Sequence, residues 1–237
     1  MSLINDPVAT VYGPGIFARS LPEGRQVIVY QVSFDLAQGM AIILPIPVKP
    51  NSGDKAVQFV DLSGYPEMLE HMDNAFPKDN AVDGCSFRPA GAPFESVYVP
   101  SIEGLARLEE KYRPPEGVWK KLPAYHDFGF VVFKFSVERL DVYPLAFAFP
   151  RKNPAQLYFP TMVVECDDVP ATRKYGGLLY CQKIPGDGFS TRDWRESPEL
   201  PARSVNVVRA KGIVDPRLHL HRREMKAHEP NKDTVLG

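Results

Sequence analysis

His219 and His221 stand two residues apart in the sequence HLH. On an extended strand such a pair shares one face, so both imidazoles could reach a single divalent transition-metal ion. Glu224 and His228 follow closely enough in sequence to serve as further ligands. Arg217, Arg222, Arg223 and Lys226 crowd the same stretch and would repel a cation, which leaves a solvated basic edge as the competing reading. No other cofactor is expected.

A second group with chemical potential is Arg192-Asp193-Trp194-Arg195. Its guanidinium groups could clamp a small anionic ligand, a carboxylate or a phosphate, while the indole stacks on a planar moiety. On this reading Arg192, Trp194 and Arg195 border a ligand site. The alternative is that Trp194 plugs the apolar edge of a sheet and the arginines pair with Asp193, Glu196 or Glu199. Cys181 lies in the apolar run LLYCQ, where a thiol behaves as a small buried hydrophobe rather than a nucleophile. The motifs GxSxG, GxxxxGK[ST] and GxGxxG do not occur.

Composition narrows the classes of function. The chain has 237 residues, 44% of them hydrophobic and 24% charged, with a formal net charge of -1, which gives no global attraction to nucleic acid or to a membrane surface. Cys85, Cys166 and Cys181 are widely spaced and form no CxxC, so reduced thiols are expected. No apolar run is long enough to span a bilayer, and Met1 to Asp6 is too short and polar for a signal peptide. These features together predict a cytoplasmic protein.

The elements that must position such residues are mostly strands. QVIVYQVSFDLAQGMAIILPIPV, from Gln26 to Val48, alternates and then runs apolar around Gln38-Gly39, which predicts a β-hairpin ended by Pro45 and Pro47. The pattern recurs: VIVYQVSF (27–34) resembles FVVFKFSV (130–137), and MAIILP (40–45) resembles LAFAFP (145–150). Two similar halves are therefore expected, with 27–60 superposing on 130–160. Further strands are predicted at 10–12 and 16–19 around the turn Gly13-Pro14-Gly15, and at 56–61, 97–99, 155–159, 161–165, 177–183 and 204–210. Helices are predicted after Ser63, with Met68, Leu69, Met72 and Phe76 on one face, and from Ser101, with Ile102, Leu105, Leu108 and Tyr112 buried. The fold class is mainly β (α+β): antiparallel sheets with two or three short helices in a single globular unit.

The runs VPSIEGLARLEEKYRPPEGVWKKLPAYHDFGFVVFKF, PLAFAFPRKNPAQLYFPT and LLYCQ resemble a family of uncharacterised bacterial proteins. The resemblance covers most of the chain from the first hairpin to Cys181. It implies one coherent unit and carries no activity, cofactor or site residue.

Three readings of function follow. The leading one is a soluble, non-catalytic binding or assembly domain. The second is a metal-dependent enzyme using His219 and His221, and the third an enzyme of unfamiliar type with its site in the loops 83–95 and 184–204. The tail 215–237 is polar, with thinly spread apolar anchors, and alone could not offset the entropy of ordering. It should either fray, lie along its own body as an edge strand, or reach onto a second subunit, in which case residues 215 to 230 contribute to a homodimer interface.

Overall fold

Strands that are apolar at every position have to be buried on both faces, and this chain has several. The computed structural model describes residues 2–4, 10–35, 41–77, 94–115, 117–135, 139–141, 144–165 and 168–237. In chain order its strands are β1 (Ser2–Ile4), β2 (Thr10–Leu21), β3 (Arg25–Asp35), β4 (Ala41–Ile46), β5 (Gln58–Val60), β6 (Phe94–Val99), β7 (Gly129–Phe135), β8 (Arg139–Asp141), β9 (Leu145–Pro150), β10 (Leu157–Phe159), β11 (Val163–Glu165), β12 (Gly177–Gln182), β13 (Arg195–Glu196), β14 (His221–Met225) and β15 (Thr234–Leu236). Among the described residues two short helices, α1 (Met68–Asp73) and α2 (Ile102–Leu105), complete it with several 3-10 turns. The fold is mainly β, as its composition of alternating and apolar runs predicted.

Two sheets form the body. One runs β11-β1-β4-β7-β6; the other runs β13-β14-β12-β2-β3-β9-β5, with β8 also pairing β3. All pairings are antiparallel except β1 with β11 and β12 with β2. The inner faces meet in one core cluster that includes Ile16, Ile28, Tyr30, Ile42, Leu44, Phe133, Phe147 and Leu179. The outer face of the β2/β3/β9/β12 sheet is covered by α1 and the segment 205–214, which bury Met68, Leu69, Met72, Val205 and Ile213 against Phe17, Val29 and Tyr180. The outer face of the other sheet is covered by residues 102–125, with Leu105, Tyr112, Val118 and Tyr125 over Ile43, Phe130 and Val132. Both sheets are thus sandwiched, which accounts for the unbroken burial of β4 and β12.

The expected hairpins are corrected by this arrangement. β3 does not pair with β4: β3 lies in one sheet beside β2 and β9, and β4 in the other beside β1 and β7. β7 and β9 are likewise divided between the sheets. What the two similar segments share is a crossing from one sheet to the other, made in opposite directions, so that β3 pairs β9 and β4 pairs β7. Their exits also pair with one another, Lys49 N donating to Pro150 O at 2.9 Å and Lys152 N to Pro47 O at 2.8 Å. A hydrophobic run specifies burial, and both arms of a crossing are as apolar as both arms of a hairpin. Pro45 does not end its strand but pairs opposite Phe130 inside β4.

Smaller expectations also shift. β2 is one long strand whose register slips between Tyr12 and Gly15, where a separate turn was expected. The hairpin of β2 and β3 turns at Pro22–Gly24, with Gly24 at φ +68, a conformation costly for side-chain-bearing residues. The helix expected from Ser101 is broken into α2 and a 3-10 turn at Glu110–Tyr112, and Ser101 makes no side-chain cap bond. Gly104 within it lets the chain lie against β6, since a Cβ there would stand 2.7 Å from Val99 Cγ1. The strand expected at 204–210 is a series of turns, closed by Ala210 N to Asn206 O and by Arg209 N to Asn206 Oδ1. Its Val205 is buried while Val208 is 88% exposed.

The tail is held by the chain's own body. β14 sits between β12 and β13, and β15 pairs β10. Between them Arg173 N donates to Glu229 O, His228 N to Arg173 O and Asn231 N to Ala171 O. The side chain of Asn231 acts as a strand neighbour, accepting from Val163 N at 2.9 Å and donating to Val163 O at 2.7 Å. Of the alternatives, the tail lies along its own body as edge and near-edge strands.

Candidate functional site

The residues that converge come from segments far apart in sequence. Asp233 leads into β15, Tyr158 is the middle of β10, and Tyr125 ends a 3-10 turn at Pro123–Tyr125. Pairing of β10 with β15 sets Tyr158 opposite Val235. Tyr125 and Tyr158 both donate to Asp233 Oδ2, at 2.6 and 2.5 Å, and Met162 N donates to Oδ1 at 2.8 Å. Burial, reinforced by the Asp233 charge, pushes both phenols above their ordinary value. They remain neutral donors throughout the physiological range.

This triad borders a cavity of about 450 Å³, also lined by Gln26, Pro47, Ala124, Phe128, Arg151, Lys152, Asn153, Gln156 and Val235. Gln26 is buried where an apolar residue would be expected, because its amide takes the place of a strand: Nε2 donates to Tyr158 O at 2.5 Å and Oε1 accepts from Tyr158 N at 3.1 Å. Arg151 is 6% exposed. Its Nε donates to Gly24 O at 3.3 Å, and its Nη1 to Ser20 Oγ at 3.1 Å and Gln156 O at 2.8 Å. Lys152 pairs with Asp127. A second cavity of about 500 Å³, lined by Arg173, Arg223, Glu224, Glu229 and Lys232, shares Asp233 and Val235 with the first.

The structure separates the residues that the sequence grouped. Trp194 is 7% exposed, packed on Phe159 with ring centroids 5.5 Å apart and included in the core between the sheets, so its indole is an anchor and not a stacking platform. Arg192 is exposed, and Arg195 is half-buried on β13 opposite Arg222. The three do not form a clamp; the plug reading of Trp194 describes it better. The loop 184–204 is ordered by Phe189, Trp194 and Ser197, all buried. Of the loop 83–95, residues 83–93 lie outside the described residues, as do Cys85 and Cys166.

His219 and His221 are both half-buried. His219 Nδ1 lies 2.8 Å from Ser197 O, and His221 Nε2 lies 3.2 Å from Glu196. Burial lowers the His221 value, partly opposed by Glu196. Glu224 falls on the opposite face of β14 from His221, because side chains alternate along a strand. Among the described residues no group of three or more His, Cys, Asp or Glu side chains is placed to hold a metal ion. Cys181 is fully buried and its thiol is pushed up by burial.

Sequence reasoning missed Asp233, Tyr125 and Tyr158 because no local pattern announces a contact across 75 or 108 residues. The only advance signal at this site was the basic, proline-containing exit Arg151-Lys152-Asn153-Pro154.

No protein-family model matches the chain, and no curated protein matches it. Among solved structures the chain is similar to baculovirus P35, with a TM-score of 0.54 and 11% identity over 99% of each chain. A mutated baculovirus P35 after caspase cleavage gives a TM-score of 0.51 and 12% identity over 95% of this chain and 99% of that one. Likeness at such identities is likeness of fold. Among the described residues no helix is long and apolar enough to cross a membrane.

Proposed function

We propose that this chain is a non-catalytic binding protein. One observation carries the reading: the polar atoms of Asp233, Tyr125, Tyr158 and Gln26 at the cavity are engaged in holding the fold, and among the described residues none of them is set up as an acid, base or nucleophile. Asp233 is answered by two phenols and a backbone amide, the phenols are fixed as neutral donors, and the Cys181 thiol is kept protonated in the core. The cysteine pattern supports a reducing, cytoplasmic setting for this role. The competing metalloenzyme reading rests on His219 and His221. Purified protein is expected to hold far less than one equivalent of zinc, iron or nickel by elemental analysis; a stoichiometric metal that disappears in the His219→Ala, His221→Ala double variant would overturn the non-catalytic reading.

A second reading is favoured by the whole-length likeness to baculovirus P35, one structure of which is of the protein after caspase cleavage. On this reading the bound partner is a protease of that kind. Incubation with an active caspase is expected to cut the chain at one site, read by intact mass. A chain that stays whole through prolonged incubation would sink this reading.

A further inference from the structure

We propose that the open edge of β15, beside the second cavity, docks an extended acidic segment of another protein, added as a further strand. The inference deepens the non-catalytic reading and rests on it. The N–H and the C=O of Tyr158 are both bonded to the Gln26 side chain, at 3.1 and 2.5 Å, and so point away from β15. In an antiparallel ladder such a residue belongs to a non-hydrogen-bonded pair, and Val235, which stands opposite, must also turn its N–H and C=O away from the pairing. β10 and β15 make a two-stranded sheet, so these two groups lie on an edge that no strand among the described residues covers. Val235 is 47% exposed and borders the cavity of about 500 Å³.

Another wall of this cavity presents a matching edge. Ser197 N donates to Leu220 O at 2.8 Å, and β13 pairs Arg195 with Arg222. Two residues further along β14, Glu224 turns its N–H and C=O to the same side, beyond the end of β13. The cavity is thus bordered by two strand edges with open backbone groups, and such edges are templates for strand addition. Charge selects the strand that fits. Arg173 is answered by Glu229 at 3.1 Å and by Lys232 O at 2.8 Å. The side chains of Arg223 and Lys232 are exposed on the same cavity and have no ion-pair or hydrogen-bond partner among the described residues. Glu224 alternates to the opposite face of β14 from Arg223, and Asp233 is held by Tyr125, Tyr158 and Met162 N. Two uncommitted positive charges therefore flank the open edges, and an incoming strand with acidic side chains complements both the backbone and the charge.

The test is fluorescence anisotropy of the full chain with three fluorescein-labelled peptides: the acidic Val-Glu-Val-Glu-Val-Thr, the basic Val-Lys-Val-Lys-Val-Thr, and the acidic peptide N-methylated at every residue. The acidic peptide is expected to bind at least tenfold more tightly than either of the others. Arg223→Glu combined with Lys232→Glu should cut its affinity at least tenfold and leave the basic peptide the tighter binder. Val235→Pro removes the open N–H without taking a donor from the β10 ladder, and should weaken the acidic peptide at least tenfold while the melting temperature holds. Should that variant unfold, the double charge reversal, made on exposed side chains, decides. Equal binding of acidic and basic peptides, full-strength binding of the N-methylated peptide, or no binding of the acidic peptide by the native chain would each overturn the proposal. So would a dimer, seen by light scattering, that Val235→Pro dissociates, since a second copy would then occupy the edge. Any of these results with a metal-free protein removes the docking site and leaves the non-catalytic reading standing.

Discussion

Asp233→Ala is expected to destabilise the protein more than any other single change near the cavity, although Asp233 lies four residues before Gly237 and is only partly buried. Its carboxylate accepts from Tyr125, Tyr158 and Met162 N at 2.5 to 2.8 Å. Hydrogen bonds to a charged group contribute roughly 1.5–3 kcal/mol each, and removing the acceptor strands donors that are largely withdrawn from water. The two phenols are 6% and 4% exposed. Tyr158 retains Pro45 O at 3.1 Å and Tyr125 the weak acceptor Met162 Sδ at 3.2 Å, so the losses do not simply add. A total of about 3–5 kcal/mol is expected, which for a chain of this size lowers the melting temperature by on the order of 10 °C. Asp233→Asn keeps an acceptor without the charge and should fall between. Chemical denaturation of the three proteins at neutral pH measures this, and a loss under about 1 kcal/mol for Asp233→Ala would show that the triad is not a structural clasp.

The clasp also explains why the tail's order could not be foreseen. Residues 215–237 have little apolar material, and on composition they cannot hold themselves down. Their anchors are single polar residues matched to distant backbone: Asn231 to Val163 and Pro170, and Asp233 to Met162. On the body side Arg173 reaches Glu229 and Lys232 O, and Gln182 reaches Asp215 and Leu218 O. A side-chain amide standing in for a missing strand looks, in sequence, like any surface polar residue.

The strands themselves were legible, because alternation and apolar runs are local properties. β3, β4, β5, β7, β9, β10 and β12 lie where the pattern put them. Which strands pair was not legible. Val27–Phe34 and Met40–Leu44 are adjacent in sequence and apolar enough to pair, yet Val27–Val32 and Ala41–Leu44 are buried in different sheets, with Ile28 and Ile42 meeting in the shared core. Likewise the HLH spacing located two histidines correctly on one stretch, but whether a third ligand joins them depends on partners from β13, and there the neighbours are Glu196 and the Ser197 carbonyl. Trp194 illustrates the same limit from the other side: its flanking arginines suggested a surface role, while Phe159, 35 residues earlier, determines that it is core.

Stability is expected to collapse in alkali, in two stages. Cys181, Tyr125 and Tyr158 all hold their protons more tightly in the folded chain than in the unfolded one, chiefly because burial disfavours the thiolate and the phenolates, and for the phenols also because Asp233 is already negative. A group raised in this way stabilises the fold fully below its unfolded value, and that contribution is lost as pH rises beyond it, since only the unfolded chain can release the proton. From roughly pH 8.5, the ordinary value of a free cysteine, to about pH 10, Cys181 is the thiol among the described residues that should lower stability, by about 1.4 kcal/mol per pH unit. Above about pH 10 the two tyrosines join it, and the slope should steepen to about 4 kcal/mol per unit. Tyr65 and Tyr98, also raised by burial, act in the same direction. Denaturant midpoints at pH 7, 9, 10 and 11 follow the two stages. Cys181→Ala should flatten the first stage and leave the second, whereas Tyr158→Phe should leave the first and reduce the second by about 1.4 kcal/mol per unit. Stability that stays level from pH 8 to 11 would mean that these groups titrate freely in the folded chain, and the buried triad at Asp233 would have to be abandoned.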